Sequence, residues 1–195
     1  MYLISIYFDK QTEKRLQSFI NRVATATGNN FMVDNQVPPH ITVAAVETKR
    51  EDELIACVDE LIKHITSCDD AVDNTIKCIE DTAKFIDAGD IQWVSVGAFL
   101  PQVIYVQPVL DEYLYKLSVL LSEKLSGLEE TICSQYYQPF GWLPHCTIAK
   151  QLSKEQMTEA YKVLQDHFVP MNGRVMRIGV ARTNPHRDIR VWELE

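Results

Sequence analysis

Long hydrophobic runs, paired cysteines and blocks of like charge are what this sequence has little of. No apolar stretch approaches the roughly 20 residues needed to cross a bilayer, so no transmembrane segment and no membrane partner are predicted. The opening MYLISIYFDK has neither a basic n-region nor a small-residue cleavage site, so no secretory signal is predicted and a cytoplasmic location is expected. The cysteines number five (Cys57, Cys68, Cys78, Cys133, Cys146), an odd count without C-x-x-C spacing. Neither a disulfide framework nor a cysteine-based zinc site fits that pattern, and reduced, buried thiols are expected. No charge block is long enough to be a nucleic-acid tail. The net charge of −8 argues against a protein that grips long nucleic acid by its phosphates. It leaves room for a small nucleotide or an RNA end in a local basic pocket.

What is there describes a folded chain. Apolar residues make up 46% and charged residues 24% of the sequence, which excludes a disordered polymer. At 195 residues, one domain is expected, or two small lobes sharing one core.

The order of elements is written twice. Leu3–Phe8 reads as a short strand, and Asp9 as the N-cap of a helix carrying Leu16, Phe19, Ile20 and Val23. A loop with Pro38 and Pro39 leads to a strand from His40 to Val46. Thr48 and Glu51 have capping-box spacing before an amphipathic helix with Leu54, Val58, Leu61, Ile62 and Ile65. Strands near 75–86 and 91–99 follow, with a hairpin turn at Asp87–Asp90. The second copy runs from a strand at Val103–Val106 through a helical stripe (Leu110, Leu114, Leu117, Leu121, Leu125) to a strand at His145–Ala149. Ser153 and Gln156 form another capping-box pair, and strands near 174–182 and 188–194 flank a turn at Asn184-Pro185. The predicted fold is therefore α+β and bilobal: duplicated β-α-β-α-β-β units, approximately 1–100 and 101–195, related by a pseudo-two-fold. Antiparallel sheets would surround a central cleft, with helices outside, the whole forming one domain over 1–195.

Each unit places Pro-His-x-Thr at the start of its second strand: Pro39-His40-Ile41-Thr42 and Pro144-His145-Cys146-Thr147. Side chains alternate along a strand, so His40 and Thr42 share one face, as do His145 and Thr147. Ordinary residue usage would give roughly 0.3 His-x-Thr matches in such a chain. Two matches in matching contexts therefore carry chemistry as their simplest explanation. Histidine titrates near neutrality and serves as base or acid. Two of them flanking one phosphorus would take a proton from the nucleophile and give one to the leaving oxygen. The threonine hydroxyls would donate to non-bridging oxygens of the transition state.

The repeated His-x-Thr segments resemble those of the two-histidine phosphoesterase superfamily, which includes 2′–5′ RNA ligase-like proteins and cyclic phosphodiesterases. The resemblance implies that His40, Thr42, His145 and Thr147 are catalytic, with His40 the acid and His145 the base in hydrolysis. It also implies no metal and no cofactor. The expected reaction is hydrolysis of a cyclic phosphate or phosphodiester, such as a 2′,3′-cyclic nucleotide or an RNA end. A nucleotide- or RNA-end-binding protein without turnover, and 2′–5′ RNA ligation, are the alternatives.

Other residues have quieter readings. In the aromatic loop before the second motif, Phe140 and Trp142 are candidates for stacking on a nucleobase, against a role in covering the core. Trp93 and Trp192 read as core. His64 and His167 fall late on helices, and His186 follows a turn, where surface placement is expected. Lys150, Arg177 and Arg182 could neutralise phosphate, but the sequence does not choose among them.

Overall fold

The structure is a computed structural model that describes residues 1–66, 88–183 and 186–194. The strand expected near 75–86, the turn at 184–185, Cys68, Cys78, the side chain of His64 and Asp87 lie outside the described residues, while Gly89 and Asp90, expected in a hairpin turn, instead open a strand against Val175 and Arg174.

The first half contains β1 (Tyr2–Phe8), α1 (Lys10–Thr27), the short α2 (Phe31–Asp34), β2 (Ile41–Glu47), α3 (Glu51–Thr66) and β3 (Gly89–Phe99). The second contains β4 (Val103–Pro108), α4 (Glu112–Ser126), β5 (Ile132–Cys133), a 3₁₀ turn (Gln135–Tyr137), β6 (Cys146–Ala149), α5 (Lys154–His167), β7 (Met171–Arg182) and β8 (Arg187–Glu193). Helix boundaries follow local chemistry. Asp9 accepts the amides of Gln11 and Thr12 at the start of α1, and Gly28, at φ +70°, closes its end with an amide bond to Ala24. Ser153 and Gln156 form the expected reciprocal capping box on α5. The pair at Thr48 and Glu51 does not. Thr48 Oγ1 accepts from Arg50 instead, α3 starts only at Glu51, and the Glu51 carboxylate is drawn to Arg182 at 2.7 Å.

All eight described strands pair antiparallel, and they join into one sheet. Its path is β5-β2-β1-β7-β3-β4-β6, with β8 beside β7. The long β7 is the pivot. One edge carries β1; the other carries β3 along Met171–Val175 and then β8 along Arg177–Arg182. A late strand of each half thus pairs with the opening strand of the other: β7 with β1, and β3 with β4. Helices cross over as well, since α1 of the first half packs on β6 of the second and α4 of the second packs on β2 of the first.

One apolar cluster runs through both halves, from Ile4, Ile6, Leu16 and Ile41 to Ile104, Leu114, Leu117 and Ile148. Trp93 lies at its centre, fully buried, with Phe8 edge-on at 5.2 Å. Trp192 is only partly buried and donates its indole N–H to Asp59 at 2.9 Å. Among the described residues, no helix is long and apolar enough to cross a membrane.

Candidate functional site

β6, which ends the strand path, and β2, one strand in from its other end, come together, and this brings the two motifs side by side. Trp142 marks the seam, donating its indole N–H to the Thr42 carbonyl at 3.0 Å. Burial pushes the Cys146 thiol up to about 12, so it stays protonated and acts as a small apolar residue.

Both histidines stand one residue before their strands, and both are held the same way. His40 Nδ1 is 2.7 Å from the Pro38 carbonyl, and His145 Nδ1 is 2.8 Å from the Leu143 carbonyl. A carbonyl oxygen only accepts, so each Nδ1 carries the proton. In the neutral ring, Nε2 is then left with the basic lone pair. Thr42 lies beneath His40 on the same face, and its hydroxyl is 3.4 Å from that of Ser5, its cross-strand neighbour. Thr147 lies opposite Tyr105 in the same way.

The rings around the two histidines differ in chemistry. His145 is walled by Phe99, edge-on at 4.8 Å, and by Tyr105 at 5.2 Å. His40 lies 6.4 Å from the Tyr7 ring and is stacked by His186 at 5.5 Å with the planes 26° apart. His186 Nε2 is 3.3 Å from Asp188 Oδ1, and that same oxygen accepts the Tyr7 hydroxyl at 2.5 Å. Arg177 lies over the Tyr7 ring at 5.5 Å and is paired with Glu13. Glycines make room for the tyrosines: a Cβ at Gly97 would come within 2.5 Å of the Tyr105 ring, and one at Gly179 within 2.9 Å of Tyr7.

These surroundings set the protonation. Burial, helped by the charges of His186 and His145, pushes His40 down from 6.5 to about 4, against the pull of the Pro38 carbonyl and Asp188. Burial also lowers His145. Both rings are thus neutral near pH 7. Burial and the bond to Asp188 raise the Tyr7 hydroxyl, so it is a donor throughout. Burial alone would raise Asp188, but the nearby His186 and the bond from Tyr7 hold its carboxyl below the usual carboxylate range.

Several expectations change. His186 is not a surface residue: its side chain is 10% exposed and lies against His40. The His-x-Asp spacing of 186–188 held the signal, because it puts both side chains on one strand face, as in His-x-Thr. Trp142 does not offer a stacking face. It is only 4% exposed, and its N–H is used to hold β2. Phe140 is 94% exposed, and its ring neighbour is Tyr115 at 5.9 Å. Of the candidate cations, Arg177 stands next to Tyr7, Arg182 is paired with Glu51, and Lys150 lies 4.5 Å above the Phe31 ring, where burial lowers its proton affinity. His167 is on α5, 3.3 Å from Arg22. Among the described residues, no group of three or more His, Cys, Asp or Glu is arranged to hold a metal ion.

The sequence matches the 2′-5′ RNA ligase superfamily over residues 12–187, and the chain is a member of that family. Solved structures agree on the fold. TT0787 of Thermus thermophilus superposes with a TM-score of 0.59 at 13% identity, covering 99% of this chain and 97% of that one. LigT of E. coli, complexed with 3′-AMP, gives a TM-score of 0.51 at 12% identity, covering 99% and 96%. No curated protein matches the sequence significantly.

Proposed function

We propose that the protein is a metal-independent phosphoesterase that opens a cyclic phosphate or phosphodiester of a nucleotide or RNA end, with His40 and His145 as proton-transfer groups and Thr42 and Thr147 as phosphate donors. The observation that carries this reading is the matched fixing of both imidazoles by backbone carbonyls, which leaves both Nε2 atoms free for substrate. Family membership supports the reaction class, and the 3′-AMP bound to LigT supports a nucleotide as the molecule acted upon.

In hydrolysis, one neutral Nε2 takes a proton from water as its oxygen bonds to phosphorus. The P–O bond to the leaving oxygen breaks on the opposite side, and the second imidazole, protonated, delivers its proton there. Both rings are neutral at rest, so the acid must gain its proton as the substrate binds. An anionic phosphate lying between the rings favours that, because a nearby negative charge raises a histidine's proton affinity. The threonine hydroxyls donate to the non-bridging oxygens, where negative charge builds.

The test is hydrolysis of 2′,3′-cyclic nucleotides in excess EDTA, comparing wild type with His40→Ala and His145→Ala. Chelator-resistant turnover is expected, with each substitution costing about 10²–10⁴-fold. Turnover that EDTA abolishes, or that survives both substitutions, would sink the proposal. Product identity, a 2′- or a 3′-phosphate, reveals which bond is broken.

A further inference from the structure

The motifs repeat, but what surrounds them does not. His145 faces Phe99 and Tyr105, which carry no charge at neutral pH. His40 instead stacks, at 5.5 Å and 26°, against a second imidazole whose Nε2 lies 3.3 Å from a carboxylate oxygen. We propose that His186, held by Asp188, is a third histidine of the site: a positioning residue that fixes the His40 ring and keeps it unprotonated until an anion enters. The role of His40 in turnover rests on the phosphoesterase reading above; the coupling between the two rings does not.

Geometry limits what His186 can do. Its ring lies 5.5 Å from His40, nearly parallel, so it presents a face and not a nitrogen to its neighbour. No proton passes directly between the two rings; the coupling is through charge and packing. Positive charge on His186, beside Asp188, would lie over His40 and oppose a second proton there. The Asp188 carboxylate is shared, since it also takes the Tyr7 hydroxyl, and Tyr7 flanks the other side of His40. The charged and titratable groups around His40 are therefore Tyr7 from β1, His186 and Asp188 at the start of β8, and His145 from the second motif. Arg177 of β7 and Glu13 of α1 form the next layer behind Tyr7. An entering phosphate adds the negative charge that this arrangement lacks at its open side, and the balance tips toward protonated His40.

The experiment is an NMR titration of the histidine Cε1–H resonances in the full-length protein, for wild type, His186→Phe and His186→Gln. Phenylalanine keeps a stacked ring without charge; glutamine keeps a donor toward Asp188 without charge. In both, His40 should titrate at higher pH than in wild type, by about half a unit or more, while His145 moves much less. Inorganic phosphate added to wild type should move His40 in the same direction. Unchanged His40 titration in two folded variants overturns the proposal, whatever their activity. A shifted His40 in a protein that hydrolyses no cyclic nucleotide would leave this coupling standing and bring down the phosphoesterase reading instead. With turnover, the limb of the kcat profile governed by His40 should shift while KM stays near wild type. A purely structural role would lower kcat without moving the limb.

Discussion

Wild-type protein should lose stability in mild acid that a His40→Gln variant keeps. In the unfolded chain His40 titrates near its ordinary 6.5; in the native site it does so at about 4. Between those values the unfolded state holds the proton and the native state does not. Stability therefore rises with pH across the window. The contribution is present in full above about pH 6.5 and is lost as pH falls through about 4, and a displacement of that size is worth about 3 kcal/mol. Glutamine has no charge to gain and retains an N–H for the Pro38 carbonyl. Carboxylates remote from the site titrate alike in both proteins and cancel in the difference, while Asp188, coupled to His40, contributes a smaller part of it. Urea denaturation at several values between about pH 7 and pH 4 measures it directly. The stability gap between the two proteins should change by about 2–3 kcal/mol in favour of the variant as pH drops, with equal m-values. A gap independent of pH would show that His40 is not held neutral in the native site, and would refute the electrostatic reading.

Two further substitutions test the frame around the motifs. Trp142→Phe leaves the buried Thr42 carbonyl without its indole donor and should cost about 1–3 kcal/mol in urea unfolding; an unchanged midpoint would mean that this seam does not hold the motifs together. Gly97→Ala forces a methyl group into the Tyr105 ring, which packs against His145. It should cost about 1–3 kcal/mol and lower turnover of whichever substrate the enzyme accepts, and full activity in the variant would show that the ring can move freely.

The elements written in a strong local pattern were legible in the sequence. The stripe from Leu114 to Leu125 became α4, with Leu110 left exposed before its cap at Asp111, the run after Ser153 became α5, and Asp9 caps α1 as its position suggests. That His40 shares a face with Thr42, and His145 with Thr147, was legible too, because alternation along a strand assigns faces without knowledge of partners. Pairing across the halves was not. Nothing local in Ile4 announces that it will lie beside Val180, and the placement of β7 between β1 and β3 is a product of the whole core. His186 was misread for the same reason. After a turn, exposure is the sound expectation, and only the β7–β8 register, with Ala181 opposite Asp188, carries it back over His40. For Trp142, of the two roles an aromatic in that loop could take, the structure gives the one that covers the core, with its N–H used by the backbone of β2. α2 and β5 are too short, at four and two residues, to impose a period on the sequence.

The exchange of strands between the halves has a consequence for how the protein is made. Ile4 must wait for Val180 before β1 gains its second neighbour. At ribosomal speeds that delay is about 10–35 seconds, spent as an open, apolar strand edge of the kind that recruits other chains. A nascent chain truncated before residue 171 has every catalytic candidate and lacks the strand that joins β1 to β3. The newborn protein should therefore depend on holdase chaperones far more than a chain of its length whose halves fold in turn.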